Sequence, residues 1–345
     1  MGKALYEFGL EDSSGVQIIS MHDQQSEAAN NVYFPAEFFS GFSGNKTGFV
    51  LDAVKKGRKA DVVIISHINL LVAGWLIKKV HPATKIILMA HGIEIWGDLK
   101  PAKKKMLEAC DKIICVSHYT EQQIREKHRF HTTALTVLNN CLDPFLNSQH
   151  TAEADNNLRK QYSFTPEDVV LLTLTRLSSK DRYKGYEFVL EAMKKLATKN
   201  KNIKYLLAGR SSDNEQLFIK SLIKQYALEE NVILAGYIPE EDLATLFSIA
   251  DIYIMPSTKE GFGIVFIEAM YYGLPVIAGN KDGSTDALLD GKLGLLIEPN
   301  SSTEIEIAVN EIMKNINVYK PNRQLLMNNF GYEPYKKKLV EALYN

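Results

Sequence analysis

Short runs of aliphatic and β-branched residues alternate with segments of helical period along almost the whole chain. In the first half, Val16–Met21, Asp61–Ser66, Lys85–Ala90, Lys112–Ser117 and Leu135–Leu138 predict strands. In the second half, Val169–Thr175, Ile203–Ala208, Val232–Ala235, Ile252–Met255, Pro275–Ala278 and Leu295–Ile297 do the same. These runs show little apolar–polar alternation, which marks strands buried on both faces, and the helices between them make the sheets parallel. Helix starts are signalled by Pro239 ahead of Glu240, Glu241 and Asp242, by Thr303 with Glu306 three positions on, and by Asp213 as a cap. Over 139–156 the pattern lapses into NNCLDPFLNSQHTAEADN, polar and turn-rich, which suits a linker. The tail from Tyr332 to Asn345 is helical in pattern and follows a break at Asn328–Gly331. The expected class is α/β, with two doubly wound, Rossmann-like domains facing a cleft. They occupy residues 1–147 and 148–328, and a helix at 329–345 packs back on the first.

A chain of 345 residues has room for two such cores. Forty Lys and Arg against 41 Asp and Glu leave a net charge of −1, which argues against a nucleic-acid binder. The three cysteines, Cys110, Cys115 and Cys141, are odd in number and lack a CxxC spacing, so a reducing, cytoplasmic setting is expected. Met1–Ser14 has no apolar core of a secretory signal. The most membrane-like run, Val62–Ile77, spans 16 residues and contains Ser66, His67 and Asn69, which is too short and too polar to cross a bilayer. A soluble protein is therefore expected.

Two stretches carry chemistry. In STKEGFGIVFIEAMYYGLPVIA, Ser257–Ala278, a strand ends near Pro256, a loop holds Gly261 and Gly263, and a helix begins near Ile264. Glycine admits close backbone approach, and the free amides at a helix start favour phosphate. Glu260 and Glu268 lie eight positions apart, about 12 Å if all were helical, enough to hold opposite ends of one ligand. The plain alternative is one solvated loop carboxylate and one on a helix face. In TRLSSKDRYKGYEFVLEAMKKL, Thr175–Leu196, Arg176 closes a strand and Lys184–Gly185 opens a helix. Both cations fall at the carboxyl end of the sheet, where a fork and a point charge suit two adjacent phosphates. Lys180, Asp181 and Arg182 share that loop, so a solvated loop is the competing reading.

All eight histidines (His22, His67, His81, His91, His118, His128, His131, His150) fall in the first 150 residues, so any imidazole at the site comes from that half. His128-x2-His131 lacks a visible third ligand and reads as loop polar residues. Lys100, Lys103, Lys104 and Lys105 form a basic cluster, with Lys78 and Lys79 expected nearby. At an inner membrane surface such a patch would meet anionic lipid at about 1 kcal/mol per Lys; otherwise it is a solvated helix face.

The Glu260-x7-Glu268 pattern within EGFG…EAM, followed by GLPVIA, resembles the retaining glycosyltransferases of family 4, which have the two-domain GT-B fold. Arg176 with Lys184–Gly185 resembles that family's basic pair, at a slightly wider spacing. LNNCLDPF at 138–145 is similar to its interdomain segment, and AHGIEIW at 90–96 to its segment with a histidine at the donor sugar. The resemblance implies that Arg176 and Lys184 neutralise the leaving diphosphate and that Glu268 binds the ribose. It implies that Glu260, with the amides of Phe262 and Gly263, orients the sugar, and that His91 reaches a sugar hydroxyl. Gly185 would lie with Lys184 at the donor diphosphate, and Gly209 and Tyr237 would border the nucleotide. His91 and Glu260 are thus the catalytic candidates.

It further implies a UDP- or GDP-hexose donor, a glycan or lipid-linked acceptor, retention by same-face attack, and no metal or other cofactor. Cell-surface polysaccharide synthesis is the expected setting, in the cytoplasm or at the inner membrane face. A nucleotide-sugar epimerase of the same shape, an inactive binding relative and a two-lobed binding protein are the rival readings. One departure stands out: MGKALYEFGLEDSSG lacks the apolar strand and Gly-rich loop with which such domains open. The expectation is a shortened N-terminus, with Ala4–Phe8 the end of the helix after that loop, good nucleotide binding and poor transfer.

Overall fold

The computed structural model describes residues 1–12, 15–128, 133–147 and 151–344; His131 and His150 lie outside them. The chain divides into two compact units, Met1–Leu138 with Glu333–Asn345, and Asn139–Tyr332.

The first unit runs α1 (Gly2–Glu11), β1 (Ile18–Ser20), β2 (Phe39–Gly41), α2 (Lys46–Gly57), β3 (Val62–Ile65), α3 (Leu71–Val80), β4 (Lys85–Ala90), α4 (Ile93–Trp96), α5 (Pro101–Glu108), β5 (Lys112–Cys115), α6 (His118–Lys127) and β6 (Ala134–Val137). The last four strands form one parallel sheet in the order β3-β4-β5-β6, and β1 pairs in parallel with β2 alone. Ile86, Leu88, Ile113 and Cys115 face Leu71, Ile77, Leu107 and Ile124 in its core. The unpredicted β2 is three residues long, too short for a period to show.

The second unit continues with α7 (Ala152–Gln161), β7 (Val169–Leu174), α8 (Tyr186–Lys199), β8 (Ile203–Ala208), α9 (Asp213–Gln225), β9 (Val232–Gly236), α10 (Leu243–Ser248), β10 (Ile252–Met255), α11 (Ile264–Tyr271), β11 (Val276–Gly279), α12 (Ser284–Ala287), β12 (Leu295–Ile297), α13 (Ser302–Lys314) and α14 (Arg323–Phe330). Its six parallel strands are ordered β12-β11-β10-β7-β8-β9. The order reverses between β7 and β10, so a crevice opens beyond their carboxyl ends, where ligands of doubly wound sheets bind. Val189, Leu190, Met193 and Leu196 recur at helical spacing along α8 and bury it against the sheet.

The final helix α15 (Tyr332–Tyr344) belongs with the first unit: Lys336 pairs with Glu7 and Glu11 of α1, and the Lys112 ammonium donates to the Ala342 carbonyl.

Several expected helix boundaries need correction. Ser301, not Thr303, caps α13, accepting from the Glu304 amide, while Glu306 is drawn away by Lys199 and Lys195. Ser212 precedes α9, so Asp213 is its first helical residue and not the cap. Pro239 precedes a 3-10 turn, Glu240–Asp242, and is not itself helical. The break before the tail is confined to Gly331, because Asn328–Phe330 still belong to α14. His128 is no loop polar residue; it is buried at the end of α6, with its Nε2 2.9 Å from the Ile95 carbonyl.

Candidate active site

The loop from β7 to α8 is fastened from within. The Asp181 carboxylate accepts from the Ser178 hydroxyl at 2.6 Å and from Arg176 and Tyr183 at 3.3 Å. Arg182 forks onto Glu215 at 2.9 and 3.1 Å, stacks 3.5 Å over the Phe218 ring centre, and shares Glu215 with the Tyr186 hydroxyl. Of the cations expected on a ligand, Arg176 is 76% exposed beside Asp181, whereas Lys184 is 13% exposed and ion-paired with Glu260. Gly185 opens α8 with φ 81°, and a Cβ there would lie 2.3 Å from the Pro256 carbonyl oxygen. Glycine therefore lets the β7 and β10 loops touch. The Thr258 amide donates to the Tyr183 carbonyl and completes the join.

Glu260 is clamped by its own backbone. Its amide donates to Asp282 at 2.7 Å, and its carbonyl accepts from the Gly283 amide at 2.8 Å. Asp282 is fully buried after β11 and also accepts from the Ser257 hydroxyl and the Ser284 amide. Burial pushes its carboxyl up to about 6, against the lowering effect of those donors. Sequence reasoning missed this residue; the Asp282–Gly283 pair after a buried strand was the available turn signal. Asp282→Ala leaves the buried Ser284 amide and the part-buried Glu260 amide without their acceptor. A stability loss on the order of 3 kcal/mol is expected in urea unfolding; a loss below about 0.5 kcal/mol would remove Asp282 from this role.

Beyond the loop, Gly263 starts α11 at φ 85°, and the buried Phe262 ring anchors the turn against Phe330 at 5.5 Å. The carboxylate of Glu268, one turn along α11, has no hydrogen-bond or ion-pair partner among the described residues. Burial, then the charges of Asp143 and Glu240, push its carboxyl up to about 7. At the ends of β8 and β9, Gly209 has φ 132°, and a Cβ there would meet the Thr175 carbonyl oxygen at 1.7 Å. Arg210 lies 5.1 Å over the ring of Tyr237, which is 62% exposed. The second unit thus brings Arg176, Lys184, Gly185, Gly209, Glu260, Phe262 and Gly263 to the carboxyl edge of one sheet.

His91 lies in the first unit, directly after β4. Its amide donates to Glu94, and its Nε2 is 2.7 Å from the Ser66 carbonyl. That carbonyl can only accept, so Nε2 carries the proton and Nδ1 is left as the acceptor. The cysteines offer no nucleophile: burial pushes Cys110 and Cys115 up to about 12 and Cys141 up to about 11. Among the described residues no three His, Cys, Asp or Glu side chains group to hold a metal ion.

A doubly wound sheet with an enclosed Lys–Glu pair at its switch point places the second unit among the open-sheet α/β folds, whose ligand sites lie at that point. The glycosyl transferases group 1 family matches residues 154–328, and glycosyltransferase family 4 matches residues 16–144. The chain belongs to the family-4, group 1 glycosyltransferases, with the GT-B fold.

A Rickettsia africae glycosyltransferase structure superposes with a TM-score of 0.81 at 20% identity, covering 100% of this chain and 94% of that one. Anabaena HepE in complex with UDP and glucose gives 0.79 at 18% identity, covering 99% and 95%. A GDP-mannose-dependent phosphatidylinositol monomannoside mannosyltransferase from Mycolicibacterium smegmatis is 26% identical over 67% of this chain and 61% of its own length. The chain thus spans under two thirds of that relative.

Proposed function

We propose that this protein is a retaining glycosyltransferase that takes a UDP- or GDP-hexose as donor and a glycan or lipid-linked sugar as acceptor, in cell-surface polysaccharide synthesis. The observation that carries the reading is the enclosed Lys184–Glu260 pair at the switch point, with the unpartnered Glu268 carboxylate on the adjoining helix. Lys184 supplies the positive charge for the leaving diphosphate, and Arg176 swings from Asp181 to join it. Such fixed charge stabilises the transition state without reorganisation. Glu268 accepts from the ribose hydroxyls. Glu260, held by Asp282 and Gly283, accepts from the sugar, and His91 Nδ1 accepts from a sugar hydroxyl. The acceptor attacks the face the diphosphate leaves, and a phosphate oxygen takes its proton, so no protein nucleophile is needed.

UDP- and GDP-hexoses incubated without acceptor test the reading. Slow release of nucleoside diphosphate with an unchanged sugar is expected; conversion to an epimer would transfer the assignment to an epimerase. Because the cations are side chains, EDTA should leave turnover unchanged; loss restored by Mg²⁺ or Mn²⁺ would contradict metal independence. No helix among the described residues is long and apolar enough to cross a membrane.

A further inference from the structure

Both cations of the candidate diphosphate site carry a carboxylate partner in the unliganded protein, Lys184 on Glu260 and Arg176 on Asp181. The two pairs differ in kind. Lys184 and Glu260 are enclosed together, whereas Arg176 is 76% exposed and Asp181 only 13%. An exposed guanidinium 3.3 Å from a carboxylate makes a weak, solvent-screened pair that opens readily.

The carboxylate is the fixed member. Asp181 accepts from the Ser178 hydroxyl at 2.6 Å and from the Tyr183 hydroxyl at 3.3 Å. Its amide donates to the Ser178 carbonyl at 2.9 Å, and its carbonyl accepts from the Lys184 amide at 3.0 Å. It thereby starts the 3-10 turn Arg182–Lys184, which the Arg182 fork ties to buried Glu215. The backbone at Arg176 is held as well. On either side of it, the Thr175 and Leu177 amides donate to the Ala208 and Arg210 carbonyls at 2.9 Å. Only the Arg176 side chain is loose. Its guanidinium can leave Asp181 for a phosphate, but Asp181 cannot follow, so the carboxylate stays behind as a competitor.

We propose that Asp181 is a positioning residue that promotes release of the nucleoside diphosphate product by taking Arg176 back. The diphosphate gains negative charge when the sugar departs, so the cations grip the product more tightly than the donor. A guanidinium–phosphate fork is among the stronger charge-assisted contacts, and left unopposed it would retain the product. The Arg176–Asp181 pair stabilises the empty site and not the product complex. Apparent affinity for the diphosphate is therefore lower by the strength of that pair. This role rests on the transferase reading of the same site.

The test is calorimetry of the intact protein with UDP and with GDP. Asp181→Asn keeps an oxygen for the Ser178 hydroxyl but removes the charge that holds Arg176. It should tighten whichever diphosphate binds by about three- to fivefold, the scale of an exposed ion pair. Stopped-flow displacement should place the gain in a slower off-rate, because a contact is altered and not a long-range field. Arg176→Ala should weaken binding, and adding Asp181→Asn to it should change nothing further. Circular dichroism and melting of each variant show that it is folded. Damage to the loop does not mimic a gain in affinity. Weaker binding by Asp181→Asn would make the carboxylate a brace of the Lys184 turn and would overturn the proposal. So would tightening that persists in the Arg176→Ala background, the mark of direct repulsion of the diphosphate. If the parent protein binds neither UDP nor GDP, the reading of the site fails first, and this role with it.

Discussion

Lys184→Ala is expected to weaken UDP or GDP binding by about ten- to a hundredfold, the loss of one charge-assisted contact of roughly 1.5–3 kcal/mol. Glu260→Gln should show no such loss in the same measurement. Lys184 is held by Glu260 in the unliganded protein, at 13% exposure for each side chain. Neutralising the carboxylate frees the ammonium for phosphate, so nucleotide affinity should stay level or rise, while sugar transfer falls because a neutral amide replaces the charged acceptor of the sugar hydroxyl. Each single change leaves the other charge poorly solvated, so both variants should melt earlier than the parent. The double variant, Lys184→Met with Glu260→Gln, should recover much of that stability without recovering affinity. If calorimetry gives equal losses of affinity for both single variants, the pair is a structural clamp and not a phosphate device.

The second large effect is in pH. Glu268 titrates at about 7 in the unliganded protein because burial and the charges of Asp143 and Glu240 disfavour its carboxylate. Ribose hydroxyls donate to the ionised form, so nucleotide binding should tighten as pH rises through 7. Below that value affinity should fall by up to tenfold per pH unit. Glu268→Gln should remove that dependence and lower affinity at pH 8. Stability moves the other way. The folded carboxyl titrates above its unfolded value of 4.5, so the folded state holds the extra proton between the two. Stability should therefore decline from about pH 4.5 to 7, by up to about 3 kcal/mol from this group, and the glutamine variant should lack that decline. A nucleotide affinity flat across pH 6–8 in both proteins would separate Glu268 from the ribose.

Much of the fold was legible because buried parallel strands announce themselves. Lys85–Ala90, Ile203–Ala208, Ile252–Met255 and Leu295–Ile297 stand where their aliphatic runs do. Helix caps were less legible. Ser301 and Thr303 are both capping residue types with a Glu three positions on; Ser301 caps the helix, while Glu306 is engaged by Lys199 and Lys195, contacts more than 100 residues away in sequence. The same limit explains Asp282. Its worth lies in meeting Ser257 and the Glu260 amide across 22–25 residues, a meeting made by β10 and β11 pairing in register. Spacing revealed Lys184 and Glu260 separately; only the close approach at Gly185 makes them partners.

The central claim is that the switch point between β7 and β10 holds the diphosphate of a nucleotide sugar. Thermal shift of the intact protein against UDP, GDP, ADP and their hexose conjugates measures it most directly. At about a hundred times Kd, a ligand confined to the folded state adds roughly 2.7 kcal/mol. One nucleoside diphosphate should therefore raise the Tm by several degrees, and Lys184→Ala should lose most of that rise. No shift with any of the three diphosphates, or a shift that Lys184→Ala leaves intact, would contradict the account.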